Sequence, residues 1–239
     1  MIAEIYVVNI KNNIDDFMCK KLLAYLDQEK RDKIKKYRKP EDAHRALIGA
    51  LLTRYMLQKS SGCRNEEMSF RYNPYGKPIL EYPASSLHFN ISHSGSWVVG
   101  VVHQAEAGID VEKIRRIDFK LAERFFSNQE YRDLLERAPS ERLSYFYDLW
   151  TLKESYIKAV GKGLSLPLHS FSVAVQEDNI SFMNHRGLSE DKERFQFRQY
   201  ELGHDYKLAV CLKEGDFPAT IVSMSSDEFL ASFLQLQDK

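Results

Sequence analysis

The sequence predicts an α+β fold built from two similar halves, with a functional site in the cleft between them. A long helical stretch over 41–59 precedes one set of β-rich segments, and a second over 140–160 precedes another. Apolar residues recur at helical spacing in both stretches and gather in short β-rich runs after them. We expect the halves to span residues 1–105 and 106–239.

The predicted elements of the first half follow a simple order. They are a strand, a helix stopped by Pro40, a second helix, a breaker-rich turn and two strands, over 1–10, 14–38, 41–59, 73–78, 87–91 and 97–102. The second half is predicted to contain a strand, helical runs, a stronger helix ended by a glycine-containing triplet, four strands and a closing helix. We expect these at 108–112, around 118–136, 140–160, near 170–175, 195–200, 206–212 and 219–224, and from Ser226.

Composition indicates a globular protein without a bulk affinity for polyanions. Of 239 residues, 44% are hydrophobic and 12% aromatic, which is enough for a proper core. The formal net charge is zero, which argues against binding to nucleic acid or to a membrane through overall charge. The segment 20–45 is an exception, because it holds ten basic and five acidic residues. It is either a solvated helix face or a surface that reads a polyanion.

The cysteines and the apolar segments predict a cytoplasmic protein. Cys19, Cys63 and Cys211 are odd in number, far apart and without metal-ligand spacing, which favours reduced thiols. The first ten residues lack the features of a signal peptide. The most apolar run, at 97–102, is too short to span a bilayer.

Asp110 and Glu112 are the first candidates for a metal site. They alternate with Ile109 and Val111, so a strand would place both carboxylates on one face. The ordinary alternative is a solvent-facing strand edge. The preceding Gly108 favours the functional interpretation, because it permits close approach of a ligand to the backbone.

Glu154 and Lys158 are the second candidates. They lie four residues apart and therefore stack on one side of the predicted helix, as ordinary surface pairs also do. Bulky apolar neighbours such as Trp150 and Ile157 indicate a partly buried position instead. Three carboxylates that converge, with a lysine beside them, suit a hard divalent cation and a phosphate-bearing substrate.

The segment 92–95, Ser-His-Ser-Gly, offers hydroxyls, an imidazole and backbone amides at a turn, so Ser92 and His93 are candidates for a phosphate cradle. The alternative is a polar turn with a hydrogen-bonded histidine. Positive charge for a phosphate is available from four further residues, each of which is individually more typical of ordinary surface: Lys30, Lys33, Arg45 and Lys77. The sequence has no Walker loop, no G-x-G-x-x-G and no G-x-S-x-G elbow.

Seven motifs in family order resemble the 4′-phosphopantetheinyl transferases of nonribosomal peptide synthesis, the surfactin- and gramicidin-type activators. They are Lys-Arg-Asp-Lys-Ile (30–34), Glu-Asp-Ala-His-Arg (41–45), Tyr-Gly-Lys-Pro (75–78), Phe-Asn-Ile-Ser-His-Ser-Gly (89–95), Gly-Ile-Asp-Val-Glu (108–112), Arg-Phe-Phe-Ser (124–127) and Trp-Thr-Leu-Lys-Glu-Ser-Tyr-Ile-Lys-Ala (150–159). The resemblance implies two similar halves with coenzyme A in the cleft. It implies transfer of the phosphopantetheine arm of coenzyme A to a serine of an apo peptidyl or acyl carrier protein, with release of adenosine 3′,5′-bisphosphate.

The resemblance also implies residue roles. Asp110, Glu112 and Glu154 would hold Mg²⁺ at the pyrophosphate, and we expect the three carboxylates to converge within one coordination shell. Glu154 would take the proton of the carrier serine, and Lys158 would counter charge on the phosphate. The residues that resemble binders of the 3′-phosphate and adenine end are Lys30, Lys33, Arg45, Lys77, Ser92 and His93. Glu130 falls in a matching stretch without a definite role, and Ala46 stands where the family often has threonine.

We expect the carrier protein to dock as a helix in a groove, with residues 113–126 contributing Lys113, Arg115 and Arg116 beside Ile117, Phe119 and Leu121. A cleft within one chain needs no second subunit, which predicts a monomer. Two other classes remain open on the residues alone. A Mg²⁺-dependent phosphohydrolase or nuclease would hydrolyse nucleotides without a carrier, and a non-catalytic coenzyme A-binding module would keep its function after Glu154→Gln.

Overall fold

The computed structural model describes residues 2–11, 14–176, 179–184 and 195–238. They form a mixed α+β fold in which each half has one long helix packed on a sheet, which confirms the predicted fold class. The strands are β1 Glu4–Asn9, β2 Ser69–Tyr72, β3 Pro78–Tyr82, β4 His88–Ser94, β5 Trp97–His103, β6 Ala107–Lys113, β7 Phe171–Gln176, β8 Asn179–Asn184, β9 Gln196–Tyr200, β10 Tyr206–Leu212 and β11 Val222–Ser225. The helices are α1 Asp16–Leu23, α2 Gln28–Lys35, α3 Pro40–Ser61, α4 Lys120–Phe125, α5 Asn128–Glu136, α6 Arg142–Val160 and α7 Ser226–Gln237.

The first sheet has the order β11-β1-β5-β4, and α3 packs against β5 and β4. Leu51, Leu52 and Met56 of α3 are fully buried in the core of this half. The final strand and helix of the described chain return to the same half, since β11 pairs with β1 in parallel and Phe229 and Phe233 of α7 join that core. The division at residue 105 stays a prediction, and these late elements pack with the early ones.

The second sheet has the order β6-β10-β9, and α6 lies across β6 and β10. Gly108 makes this packing possible. A Cβ atom at residue 108 would lie 2.0 Å from the carbonyl oxygen of Ser155 and 2.4 Å from the amide nitrogen of Ala159. The close approach that we expected between Gly108 and a ligand is therefore made by the backbone of α6.

The single helix predicted over 14–38 is wrong, because two helices occupy this stretch. The Asp27 side chain accepts a hydrogen bond from the amide of Lys30 and so begins α2 as its N-cap. Phe17 on α1 is 77% exposed, so it does not belong to the buried face of this stretch. Pro40 opens α3 instead of merely stopping the preceding helix, which is the position where its missing N–H costs nothing.

Three strands were not predicted. β2 and β3 form a hairpin on either side of the predicted turn at 73–78, and β8 pairs with β7. The other strands and long helices lie within a few residues of their predicted positions. Among the described residues, no helix has the length and hydropathy needed to cross a membrane.

Candidate active site

Hydrogen bonds link Asp110 and Glu112 of β6 to side chains of β4 at the junction of the two sheets, where these two strands lie side by side. The Ser92 hydroxyl donates to Oδ1 of Asp110 at 2.8 Å, and the Ser94 hydroxyl donates to Oε2 of Glu112 at 2.8 Å. Strand alternation explains the pattern, since residues two apart share a face on both strands. The two carboxylates therefore occupy one face of β6, as their spacing predicts.

Lys158 joins this group from α6. Its Nζ atom donates to Oδ1 of Asp110 at 2.5 Å and to Oγ of Ser92 at 2.9 Å. Asp110 is only 3% exposed, and its other oxygen, Oδ2, is buried without a hydrogen bond to any described residue. A buried carboxylate oxygen without a donor is costly unless something else neutralises it. Asp110 thus retains one oxygen available to a further positively charged group.

Each of the three carboxyl groups has a raised pKa, and burial is the largest cause at each of them. Burial is the main cause of a raised pKa at Asp110, and Lys158 opposes it. Burial and then the charge of Asp110 raise the pKa of Glu112, against the hydrogen bond from Ser94. Burial, followed by the charge of Asp110, raises the pKa of Glu154 to about 7. Buried like charges of this kind favour the neutral forms unless a cation is close.

This donor set fits a hard divalent cation in chemistry, although the three carboxylates do not form a coordination shell. In the part of the chain that the structure describes, no three His, Cys, Asp or Glu side chains are grouped so as to hold a metal ion. The convergence of the three carboxylates within one coordination shell is therefore not met among the described residues. The unpartnered Oδ2 and the mutual repulsion of the carboxylates are the features that a hard cation would satisfy.

Lys30 and Lys33 lie on α2 at a cavity of about 490 Å³ between α2, α3 and the β2–β3 hairpin. The Lys30 ammonium has a lowered pKa, chiefly through burial and then through the charge of Lys33. Lys33 is paired with Glu29 at 2.6 Å and lies 4.7 Å from the ring centroid of Tyr72. The cavity therefore combines two ammonium groups with an aromatic wall.

Arg45 and His93 lie together near the turn between β4 and β5. The Arg45 guanidinium donates to the carbonyl of Gly95 at 2.9 Å and pairs with Asp42. His93 is exposed, and the charges of Arg45, Lys158 and Asp42 act on its imidazole. Arg45 is thus held at the turn that follows Ser94, and His93 lies within electrostatic range of both Arg45 and Lys158.

Lys77 is held apart from these groups at the end of α6. Its Nζ atom donates to the carbonyl oxygens of Lys158 at 2.7 Å, Ala159 at 3.0 Å and Ala107 at 3.4 Å. Burial lowers the pKa of the Lys77 ammonium to about 8. Its role in binding phosphate stays a prediction, and its contacts show that it fastens the hairpin of the first half to the C-terminus of α6.

Glu130 does not belong to the group of carboxylates formed by Asp110, Glu112 and Glu154. It is part of a separate, buried ion pair. Nζ of Lys153 lies 2.6 and 2.7 Å from its two oxygens, which also accept hydrogen bonds from the amides of Ser127 and Val173. These contacts fix α5 and β7 against α6. Glu130 therefore has a structural setting, which its position in a family motif did not reveal.

Two residues of the junction between the sheets were missed by sequence reasoning. Asn90 accepts a hydrogen bond from the amide of Ile109, and Ser94 bonds Glu112. A signal for them was present, because Asn90, Ser92 and Ser94 alternate along β4 and so share the face of Ser92. That alternation predicts that the side chains of all three residues lie in one row on the same face of β4.

Comparisons with known proteins define the class of this fold and site. Residues 15–105 match a family model described as "4'-phosphopantetheinyl transferase, N-terminal", and residues 106–211 match one described as "4'-phosphopantetheinyl transferase superfamily". The first match covers α3 with β4 and β5 of the first sheet, and the second covers β6, which carries Asp110 and Glu112, together with α6. Both point to a transferase.

Characterised relatives match over most of the chain. The 4'-phosphopantetheinyl transferases ffp of Bacillus subtilis and Sfp of Bacillus subtilis (strain 168) are 39% and 37% identical to it, each over 95% of this chain and 100% of the relative. The gsp enzyme of Aneurinibacillus migulanus is 38% identical over 87% of this chain and 85% of its own length. The chain therefore belongs to the 4′-phosphopantetheinyl transferase family. This membership favours group transfer over the phosphohydrolase and the non-catalytic binding alternatives.

Proposed function

We propose that this chain transfers the 4′-phosphopantetheine group of coenzyme A to a serine of apo peptidyl or acyl carrier proteins and releases adenosine 3′,5′-bisphosphate. The observation that carries the proposal is the grouping of Glu154 and Lys158 with Asp110 and Glu112, in a chain that matches the family over nearly its whole length. We further propose that these four side chains are the reacting centre.

Glu154 is suited to accept the proton of the carrier serine. The serine oxygen forms a bond to the phosphorus that bears the pantetheine arm, the bond from that phosphorus to the adenosine bisphosphate oxygen breaks, and the serine proton passes to the Glu154 carboxylate. Burial and the charge of Asp110 raise the pKa of Glu154 to about 7 without a cation, and a bound cation would favour the charged form of Glu154, which is the form that accepts a proton. General base catalysis of this kind contributes roughly 10²–10⁴-fold to the rate.

Asp110, Glu112 and Glu154 would hold a Mg²⁺ ion, and their hard oxygen donors are those that this cation prefers. When bound, the cation supplies neutralising positive charge at the pyrophosphate. Lys158 contributes a second positive charge next to the same carboxylates, since its Nζ atom lies 2.5 Å from Oδ1 of Asp110. Its side chain is 25% exposed, so the ammonium is also accessible to a phosphate oxygen.

We propose that Lys30, Lys33, Arg45, Ser92 and His93 bind the nucleotide end of coenzyme A. The cavity next to α2 offers two ammonium groups and an aromatic wall, which suits a 3′-phosphate beside an adenine ring. Arg45 and His93 lie nearer the carboxylates and suit the pyrophosphate or the adjoining phosphate. For Lys77 the contacts support a contribution through the position of α6, and direct contact with coenzyme A stays a prediction.

We propose that the carrier protein docks on residues 113–126. Arg115 and Arg116 are exposed there, and Leu121 is 41% exposed. Ile117 and Phe119 pack partly into the core of α5 and α6, so Leu121 is the more accessible of the three expected apolar anchors. A monomeric, cytoplasmic protein remains our expectation, and Cys19, Cys63 and Cys211 as free thiols are compatible with it.

The decisive experiment mixes the protein with coenzyme A, MgCl₂ and an apo peptidyl carrier, and follows the carrier by mass spectrometry. We expect a gain equal to one phosphopantetheine group, and no gain on a carrier whose acceptor serine is replaced by alanine. An apo acyl carrier from fatty-acid synthesis serves as a second acceptor. A folded protein that modifies neither carrier, or that releases nucleotide from coenzyme A at the same rate without any carrier, would contradict the proposal.

A further inference from the structure

The two hydrogen bonds of the Ser94 hydroxyl have fixed directions. The backbone amide of Lys113 donates to its oxygen at 3.1 Å, and the hydroxyl lies 2.8 Å from Oε2 of Glu112. An amide N–H can act only as a donor, so the hydroxyl accepts from Lys113 and directs its own proton to the Glu112 carboxylate. The bond therefore stabilises the charged form of Glu112 in one orientation.

The turn that carries Ser94 is fixed from both halves of the molecule. Gly95 has a φ of 58°, and a Cβ atom there would lie 2.3 Å from Oη of Tyr206. Arg45 of α3 donates to the Gly95 carbonyl at 2.9 Å, and the amide of Ser96 donates to Oη of Tyr206 of β10 at 3.0 Å. Ser94 is thus attached to a rigid support before any ligand arrives.

The Glu112 carboxylate needs such a support, because its surroundings disfavour its charged form. Asp110 acts on it with a like charge, and burial also disfavours its charged form. Lys207 is its neighbour across β10, but the Lys207 ammonium pairs with Asp148 at 2.8 Å. The charges of Lys158 and Arg115 also favour the charged form of Glu112, but each does so less than the hydrogen bond of Ser94.

We infer that Ser94 is a positioning residue that orients the Glu112 carboxylate toward the bound divalent cation. The inference rests on the proposed function, because it takes Glu112 as a metal ligand. Ser94 bonds Oε2 and leaves the second oxygen of the carboxylate for the cation. Residues that orient a metal ligand from behind typically change metal affinity by about 10–100-fold when they are replaced.

The test measures how much Mn²⁺ the protein binds, from the spectroscopic signal of the ion that stays free. The carrier protein is left out, and the measurement is made once with coenzyme A and once without it. Ser94→Ala should weaken Mn²⁺ binding by about 10–100-fold, and Ser94→Thr, which keeps the hydroxyl, should restore it. Ser96→Ala is the matched control, because it removes a hydroxyl of the same turn that contacts Tyr206 and not a carboxylate. In transfer assays, Ser94→Ala should raise the Mg²⁺ concentration for half-maximal rate while the rate at saturating Mg²⁺ stays near that of the wild type.

Wild-type affinity for Mn²⁺ in a folded Ser94→Ala variant would overturn the inference, and so would equal weakening by Ser96→Ala. If Glu112→Gln and the wild type bind Mn²⁺ equally well, Glu112 is not a ligand and the inference fails with it. Neither result contradicts the proposed transfer reaction, because the mass gain of the carrier is measured separately on the wild-type protein. Unfolding midpoints of all variants distinguish loss of orientation from loss of fold.

Discussion

Nζ of Lys153 lies within 2.7 Å of both carboxylate oxygens of Glu130, and the two side chains are 0% and 1% exposed. The pair connects α6 with α5, and the carbonyl of Phe171 accepts a further hydrogen bond from Lys153. Both charges are therefore compensated inside the protein, and Lys153 lies on the same helix as Glu154 and Lys158.

Removal of one partner of this pair should destabilise the fold strongly. Lys153→Met leaves the Glu130 carboxylate buried without its counter-ion, which typically costs about 3–5 kcal/mol. Glu130→Gln should also be costly, because it leaves the Lys153 ammonium without its counter-ion and turns one acceptor into an NH₂ group that faces backbone and ammonium donors. Urea unfolding measures both, and Lys33→Met, which breaks an exposed pair with Glu29, is the control with an expected change below about 1 kcal/mol. Equal effects of Lys153→Met and Lys33→Met would contradict this interpretation.

Gly108→Ala should separate α6 from β6. The new methyl group would meet backbone atoms of Ser155 and Ala159, which cannot move aside as a side chain can. We expect a loss of stability at the upper end of overpacking effects, about 3 kcal/mol or more, and a parallel loss of transfer activity. Gly49→Ala is the comparison, because its methyl would meet side-chain atoms of Ile91 and Val98 and the change favours the helix. Thermal unfolding and the mass gain of the carrier report the two effects.

Glu154→Gln should abolish most of the transfer while coenzyme A still binds. The amide has nearly the same shape as the carboxylate but cannot take the serine proton, so we expect the rate at saturating substrates to fall by roughly 10²–10⁴-fold. Calorimetry should find the affinity for coenzyme A changed by much less. Glu136→Gln, on the exposed end of α5, should leave both quantities unchanged. Full activity of Glu154→Gln would remove Glu154 from the reaction.

Charge reversal at Arg115 and Arg116 should weaken the encounter with the carrier. Both side chains are exposed, and a carrier helix with acidic surroundings would be repelled by glutamates there. We expect a higher KM for the carrier and an unchanged KM for coenzyme A. Lys20→Glu with Lys21→Glu alters the net charge equally on exposed α1 and should leave the carrier KM as it was. A carrier KM unaffected by the Arg115 and Arg116 changes would place the docking surface elsewhere.

The stabilising contribution of Lys77 should rise with pH. Burial moves the pKa of its ammonium from about 10.5 to about 8, so between these values the unfolded chain binds a proton that the folded chain does not. Stability therefore increases with pH through this interval, and the gain is lost again as the pH falls through about 8. The difference in unfolding free energy between wild type and Lys77→Met should shift in favour of the wild type from pH 7 to pH 10. The same series with exposed Lys59→Met should show no such trend.

The local parts of the site could be predicted from sequence, because periodicity determines which residues share a face. Asp110 and Glu112 alternate with aliphatic residues, and Glu154 and Lys158 stand one helical turn apart. Periodicity does not indicate which residues of other helices and strands these side chains contact. Lys77 lies far from Lys158 in the chain, yet it bonds the carbonyl of that residue, and no local pattern in the Tyr-Gly-Lys-Pro segment indicates this.

The errors in the fold have equally specific causes. Leu22, Leu26 and Ile34 keep a helical spacing through 14–38, but the N-cap at Asp27 ends one helix and begins another within that spacing. The strand β11 was expected near its observed position, and its place beside β1 in the first sheet depends on a pairing between the two ends of the described chain. Likewise, the sequence predicts Ser94 as part of a turn, although its hydrogen bond to Glu112 depends on how β4 of one sheet lies beside β6 of the other.

The return of β11 and α7 to the first sheet has a consequence for biosynthesis. The buried core residues of that half outside α7 all lie at or before Val102, whereas Phe229, Leu230 and Phe233 are made more than a hundred residues later. While the chain leaves the ribosome, β1 remains an open edge and its core lacks these three side chains. The second sheet is complete at Leu212 and can form earlier. The half that is translated first is therefore completed after the second sheet, once β11 and α7 have emerged.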